Sequence, residues 1–219
     1  FSAMKSPCCI VFENAASLFG QAVVIAPSRF DLHYHLGNTF AALGKIDQAL
    51  YHLQTALALN EQHAETHNNL GRIFHKKNNF QNALKHYQLA IQYRPYYTDA
   101  ELNLGLLWVA DGQYDLAKKQ FESILTWNTT VPFVYEQLAQ LELQNKNIHQ
   151  AKNFYVERLK YPIHSSDTWN NIGAVFSQTK EYEKALQAFT EALNIFPEHV
   201  QARNNRAAIH LEKNNLKEA

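Results

Sequence analysis

Apolar residues recur along this chain at spacings of three and four residues, in blocks that repeat every 34 positions. Residues 166–199 show the pattern most clearly, and the apolar and small positions there are Trp169, Ile172, Gly173, Phe176, Ala185, Phe189, Ala192 and Pro197. Spacings of three and four place side chains on one face of an α-helix. Each block therefore predicts two amphipathic helices joined by a polar turn, and the chain is predicted to be all-α.

Five blocks of 34 residues fill residues 30–199 without an insertion or a deletion. They are 30–63, 64–97, 98–131, a weaker copy at 132–165, and 166–199. A fixed period of this length is typical of a solenoid, in which each unit packs only on its neighbours. Within a block we expect the first helix at about the second to fourteenth positions and the second at about the eighteenth to thirty-first.

The two ends of the chain match only parts of a block. Residues 1–29 are predicted to hold an irregular lead-in, to about residue 10, and then a lone helix that matches the second half of a repeat. Residues 200–219 match the first helix of a sixth repeat. Because a solenoid that ended there would expose an apolar face, we expect the native chain to continue beyond Ala219.

Residues that favour turns occur at one phase of successive blocks. They are Leu43-Gly44-Lys45, Lys77-Asn78-Asn79, Asp111-Gly112-Gln113 and Asn145-Lys146-Asn147. Glycine and asparagine tolerate the left-handed conformation that ends many helices. Pro95, Pro162 and Pro197 are predicted to stop the second helices of their blocks.

These positions resemble the tetratricopeptide repeat pattern, which reads W-x2-L-G-x2-Y, then A-x3-F, then P. In block 166–199 the matching residues are Trp169, Ile172, Gly173, Phe176, Ala185, Phe189 and Pro197. The resemblance implies a right-handed superhelical solenoid of antiparallel helix pairs, whose first helices line a concave groove. It also implies a scaffold that binds a protein or peptide partner and has no catalytic role of its own.

Amide side chains recur at the sixth position of the blocks, which the resemblance places in the groove. The residues there are His35, Asn69, Asn103, Gln137, Asn171 and Asn205. A carboxamide carries a donor and an acceptor, so it can pair with both polar groups of a peptide backbone. The series resembles the asparagine ladder of the superhelical repeats attached to protein O-linked glucosaminyl transferases. The alternative is that these are ordinary solvated residues.

The predicted peptide-binding residues are the five amides at the sixth position and two residues at the ninth position. They are Asn38, Asn69, Arg72, Asn103, Gln137, Asn171 and Asn205. Arg72, Lys76 and Glu136 are expected to select the side chains of the partner.

Chaperone-binding members of the family hold a C-terminal carboxylate with two lysines, an arginine and two asparagines. Asn38 and Asn69 match the two asparagine positions. The positions of the three cations hold Tyr34, Asp99 and Asn103 instead. The sequence therefore predicts that this mode is absent.

Charge and composition exclude several classes of partner. The chain has 20 basic and 20 acidic residues, so it lacks the basic excess of a surface that binds nucleic acid or an anionic membrane. The two cysteines are adjacent, at Cys8 and Cys9, and cannot form a disulfide framework. We expect a cytoplasmic protein with no cofactor and no membrane or nucleic-acid partner.

Histidines are the candidates for a metal site, since the chain has 11 of them. His63 and His67 are four residues apart, but the spelling H-E-x-x-H is missing and His63 is expected to precede its helix. A zinc site also needs a third or fourth ligand. The sequence therefore predicts no metal site.

Two other functional hypotheses remain open. The chain could be the substrate-targeting module of a larger enzyme, with a glycosyltransferase or methyltransferase domain after Ala219. It could also assemble with itself, as a homodimer through residues 200–219.

Overall fold

A computed structural model of the chain describes residues 7–218, with side chains for residues 11–212. Within this range the chain forms twelve α-helices and no strand, which confirms the predicted all-α fold. The helices are α1 (Pro7–Ile25), α2 (Phe30–Ala42), α3 (Ile46–Leu59), α4 (Ala64–Lys76), α5 (Phe80–Tyr93), α6 (Thr98–Ala110), α7 (Tyr114–Trp127), α8 (Pro132–Gln144), α9 (Ile148–Arg158), α10 (Ser166–Gln178), α11 (Tyr182–Ile195) and α12 (Val200–Glu218).

The terminal helices differ from the sequence-based expectation. Helix α1 begins at Pro7, so the irregular lead-in predicted for residues 1–10 is wrong for residues 7–10, while residues 1–6 lie outside the described part of the chain. Proline fits the first turn of a helix, where its missing N–H has no helical partner. Helix α12 has 19 residues and continues through the phase at which the other blocks turn.

The predicted left-handed turn residues are confirmed at three of the four turns. Gly44, Asn78 and Gly112 have φ angles of 72°, 56° and 74°. In the fourth turn the left-handed residue is Lys146, at 61°, and not one of the asparagines beside it. Lys180 takes the same conformation, at 62°, before α11.

The chain divides into two compact units, Phe1–Gln120 and Phe121–Ala219. In the first unit each helix from α1 to α6 packs on the next one. In addition, α2 touches α4, and α4 touches α6. Leu53 and Leu70 form one buried cluster, and Tyr87 and Leu107 belong to a second. The alternate helices α2, α4 and α6 are thereby held side by side.

Two glycines in the first unit explain how the paired helices pack so closely. A methyl group on Gly71 would lie 2.6 Å from the ring of Tyr87, and one on Gly37 would lie 2.7 Å from the side chain of Leu53. The small residue expected between helix backbones thus makes room for a large side chain of the partner helix. This contact buries Tyr87 completely.

The second unit repeats this arrangement with helices α8 to α12. The ring of Phe189 lies against Gly173, where a methyl group would come within 2.6 Å of it. Ile172, Phe176 and Phe189 are buried in one cluster with Tyr155.

Histidine pairs link the two helices of the first two blocks. Nδ1 of His33 lies 3.0 Å from Nδ1 of His52, and Nδ1 of His67 lies 3.0 Å from Nδ1 of His86. In each pair Nε2 of the first histidine faces a backbone oxygen, that of Pro27 at 3.1 Å or that of Glu61 at 2.9 Å. A carbonyl oxygen only accepts, so Nε2 of His33 and of His67 donates, Nδ1 of the same ring accepts, and His52 and His86 donate through Nδ1.

Candidate functional site

Helices α2, α4 and α6 carry four of the seven predicted binding residues. Asn38 lies on α2, Asn69 and Arg72 lie on α4, and Asn103 lies on α6. The three asparagines are half-buried and Arg72 is exposed. Because α4 touches both α2 and α6, these residues are close neighbours on one surface of the first unit.

A cavity of 410 Å³ brings three of the predicted residues together. Asn38, Asn69 and Arg72 line it with Lys76. The apolar part of its wall consists of Ala41, Ala42, Ile46 and Ile73. A cavity with an apolar wall and a few convergent polar groups is the usual form of a ligand site.

A second cavity, of 260 Å³, shares two residues with the first. Arg72 and Lys76 line both cavities, and His75, Tyr87 and Asn103 complete the second. The two cations therefore lie in the wall between the cavities. His75 is neutral at pH 7, since burial lowers its pKa below the usual value.

Side-chain hydrogen bonds connect the asparagines of successive blocks. Nδ2 of Asn69 donates to Oδ1 of Asn38 at 2.8 Å, and Nδ2 of Asn103 donates to Oδ1 of Asn68 at 2.9 Å. Each of these donor amides has a second N–H and its own carbonyl oxygen left for another group. The bonds fix the orientation of the amides at the cavity walls.

The second unit holds the other three predicted residues. Nδ2 of Asn205 donates to Oδ1 of Asn170 at 3.1 Å, which repeats the bond between Asn103 and Asn68. Gln137 and Asn171 are half-buried on α8 and α10.

Glu136, which the sequence predicts to select side chains of the partner, contacts groups of the protein itself. Its Oε1 accepts a hydrogen bond of 2.8 Å from Oγ1 of Thr168, and its Oε2 lies 3.7 Å from Nε of Arg158. Arg158 also donates to the backbone oxygens of Tyr161 and Pro162, at 3.2 and 3.1 Å. This network joins α8, α9 and α10, and the sequence pattern gives no sign of it because Glu136 and Arg158 lie on different helices of one block and Thr168 lies in the next block.

Arg72 and Lys76 form no salt bridge with any carboxylate in residues 11–212. The hydroxyl of Tyr87 is also unusual, because it is buried without a hydrogen-bond partner. Burial raises the pKa of Tyr87, and the positive charge of Arg72 offsets part of that effect. The position of Tyr87 in the repeat is a core position, where the first block has Leu53, so the sequence pattern alone does not mark its hydroxyl.

The histidines considered for a metal site have structural roles. Nδ1 of His63 accepts from the backbone N–H of Thr66 at 3.3 Å and caps α4, which confirms that His63 precedes the helix. His67 is paired with His86. Among the described side chains, no group of three or more histidine, cysteine, aspartate or glutamate residues is arranged to hold a metal ion. No helix in that part of the chain is both long enough and apolar enough to cross a bilayer.

Sequence comparison finds the repeat pattern in parts of both units. A family model described as TPR repeat matches residues 37–78. A second, described as tetratricopeptide repeat, matches residues 64–97 and 166–199. No curated protein matches the sequence.

Solved structures resemble the whole fold at low sequence identity. The structure of pilF from Pseudomonas aeruginosa has a TM-score of 0.80, with 21% identity over 90% of each chain. PilW, a type IV pilus biogenesis factor, has a TM-score of 0.73, with 18% identity over 88% of this chain and 90% of that chain. YrrB, described as a TPR protein with an unusual peptide-binding site, has a TM-score of 0.66, with 19% identity over 88% of this chain and 100% of that chain. These similarities show an all-α helical solenoid fold.

Proposed function

We propose that this chain, which belongs to the tetratricopeptide repeat family, is a non-catalytic scaffold that binds an extended segment of a partner protein. The segment lies along α2, α4 and α6 in the two cavities of the first unit. Asn38, Asn69 and Asn103 hold its backbone. We also propose that residues 30–199 form five repeats and that residues 1–29 and 200–219 contain partial repeats.

One observation carries this proposal. Asn38, Asn69 and Arg72 occupy the sixth and ninth positions of their blocks, and they line a single cavity of 410 Å³. The hydrogen bond between the two asparagines orients their amides before any ligand arrives, so less side-chain entropy is lost on binding. A peptide backbone offers N–H and C=O groups that match the unused donors and acceptors of these amides.

The description of YrrB as a protein with a peptide-binding site adds support at the level of the fold. We propose the same backbone-holding role for Gln137, Asn171 and Asn205 in the second unit. Asn171 and Gln137 suit it because they are half-buried on first helices of their blocks, as Asn69 and Asn103 are.

The test is a double substitution that removes both members of one amide pair. Asn38→Ala with Asn69→Ala leaves neither partner of the 2.8 Å bond unsatisfied, so we expect little change in stability. Peptides for the assay come from a random 12-residue phage-displayed library selected on the full chain. Loss of two hydrogen bonds to the peptide should weaken binding about tenfold, measured as Kd by fluorescence anisotropy.

The matched control is Gln54→Ala with Gln88→Ala, which removes two exposed carboxamides from α3 and α5 of the same unit. Neither glutamine lines a cavity described above. Equal affinity of the asparagine variant and the control would refute the proposal.

A further inference from the structure

We infer that the site selects an acidic segment, and that an aspartate or glutamate side chain within the bound stretch lies between Arg72 and Lys76. The hydroxyl of Tyr87 is the third donor to that carboxylate. This inference rests on the proposed function and names the chemistry of its partner.

The charges around the cavities favour a carboxylate. Arg72 and Lys76 are exposed and lack a salt bridge to any described carboxylate, whereas Arg94 is paired with Glu65 and Lys152 with Glu181. Among the side chains of residues 11–212, no acidic one lines either cavity, and Asp99, one turn before Asn103 on α6, belongs to neither wall. An anion at this place therefore meets two positive charges without a competing negative one.

The buried hydroxyl of Tyr87 gives a second and independent indication. Tyr87 lines the second cavity beside Arg72, has no exposed surface, and its hydroxyl has no hydrogen-bond partner. A buried polar group without a partner destabilises the free protein. The side chain of Arg72 is exposed and holds no ion pair, so its movement can admit a carboxylate oxygen that accepts from this hydroxyl.

The equivalent tyrosine of the second unit shows that this arrangement is not a general property of the repeat. Tyr155 occupies the same phase, and its hydroxyl is also buried without a partner. The charge that acts on it is the negative one of Glu136, not a positive one. Of these two tyrosines, only Tyr87 combines a free donor with a neighbouring cation.

The positions of the cations point to an internal side chain and not to a C-terminal carboxylate. Arg72 and Lys76 line both cavities, so a segment that fills the two cavities passes them in its middle. They also differ from the cation positions of the chaperone-binding mode, which hold Tyr34, Asp99 and Asn103 here.

The test uses the 12-residue peptides selected on the full chain, synthesised with a C-terminal amide. We expect the selected sequences to share an internal acidic residue, and its replacement by glutamine or asparagine to weaken binding about tenfold. Arg72→Gln with Lys76→Gln should cause a similar loss for the acidic peptide and almost none for its neutral counterpart. Lys85→Gln with Lys119→Gln removes the same two charges from outside the cavities and should leave binding unchanged.

Tyr87→Phe separates the role of the hydroxyl from that of the ring. It should weaken the acidic peptide several-fold and raise the Tm of the free protein, because it removes a buried donor that has no partner. Tyr155→Phe should change the Tm in the same direction and leave binding unchanged. Unchanged binding by Tyr87→Phe would overturn the assignment of its hydroxyl.

The possible outcomes distinguish the preference for an acidic segment from the proposed peptide-binding function. Peptides that lose affinity in Asn38→Ala with Asn69→Ala, yet bind Arg72→Gln with Lys76→Gln normally, would overturn the acidic preference alone. Peptides that bind the Asn38→Ala with Asn69→Ala variant as tightly as the unchanged chain would overturn the proposed function. A free C-terminal carboxylate that replaces the internal acid without loss of affinity would contradict the assignment of a side chain.

Discussion

His67 and Tyr87 are both buried in the first unit, but only His67 has partners for its polar atoms. Its ring donates to the backbone oxygen of Glu61 and accepts from His86, so the neutral ring is fully used. A protonated His67 would donate from both ring nitrogens, so His86 would have to change to the tautomer that accepts through Nδ1. Burial disfavours the charged ring, so the first unit is most stable while His67 is neutral.

This arrangement predicts a loss of stability in mild acid. Burial lowers the pKa of His86 to about 4, with a smaller effect from the charge of His67, and burial also lowers the pKa values of His52 and His67. In the unfolded chain a histidine titrates near pH 6.5, so the unfolded state binds more protons between about pH 6.5 and 4. The stabilisation is complete above pH 6.5 and is lost as the pH falls toward 4. From pH 7 to 4.5 we expect a loss on the order of 1–2 kcal/mol from the pair of His67 and His86 in urea denaturation, and a further loss in the same direction from His52.

Glutamine at the second position of each pair provides the matched variant, because the third block already has Gln120 there, with Nε2 donating to Glu101 at 3.4 Å. His52→Gln with His86→Gln keeps a donor for the first histidine and should flatten the dependence on pH. His149→Gln, at an exposed site, should leave it intact. Equal slopes for the two variants would contradict the role of the pairs.

For individual residues, the sequence predicts where a side chain lies better than it predicts which group the side chain contacts. The phase of the repeat grouped Asn38, Asn69 and Arg72, and all three line one cavity. It did not reveal that Asn69 donates to Asn38, or that Glu136 is held by Thr168. Such contacts join residues about 31 or 32 positions apart, and their geometry depends on how successive blocks pack.

The turns within the blocks adopt the same left-handed backbone conformation with different types of residue. In the described part of the chain, five turns between the two helices of a block contain a left-handed residue, which is glycine at Gly44 and Gly112, asparagine at Asn78, and lysine at Lys146 and Lys180. Tyr96 takes the same conformation in a turn between two blocks. Only glycine adopts this conformation without a steric cost from Cβ. The two lysines are therefore places where the sequence accepts backbone strain.

Replacement of either lysine by glycine should stabilise the chain. Lys180→Gly and Lys146→Gly relieve a cost of about 1–2 kcal/mol and add about 0.5–1 kcal/mol of chain entropy to the unfolded state. The net gain in the free energy of unfolding should be about 0.5–1 kcal/mol for each. The reverse change, Gly112→Ala, should destabilise by a similar amount, since φ there is 74°. A loss of stability in both lysine variants, measured by urea denaturation, would show that the turns are not strained.

Most of the element structure was predictable because it depends on local spacing. Repeated apolar spacing predicted the helix pairs, and the predicted stops at Pro95 and Pro197 agree with α5 ending at Tyr93 and α11 at Ile195. The two ends were harder, since α1 starts at Pro7, within the predicted lead-in, and α12 runs through the phase at which the other blocks turn.

For the molecule as a whole, a net charge of zero leaves recognition to local groups. Long-range attraction of an acidic partner is then weak, and Arg72 and Lys76 act over a distance comparable to the Debye length of about 8 Å. The charge that selects the partner should therefore affect how long it stays bound more than how fast it arrives. The sequence predicted the family, but composition alone gives no sign of the cations Arg72 and Lys76 at the two cavities because the charges of the chain cancel.

The most direct test observes the amides themselves. In a ¹⁵N–¹H spectrum of the full chain, each asparagine side chain gives its own pair of NH₂ resonances, which can be assigned by substitution. Titration with the selected peptide should shift the NH₂ resonances of Asn38, Asn69 and Asn103 and leave those of exposed asparagines such as Asn82 and Asn153 in place. Shifts confined to exposed asparagines, with the three cavity amides unmoved at saturation, would contradict the account.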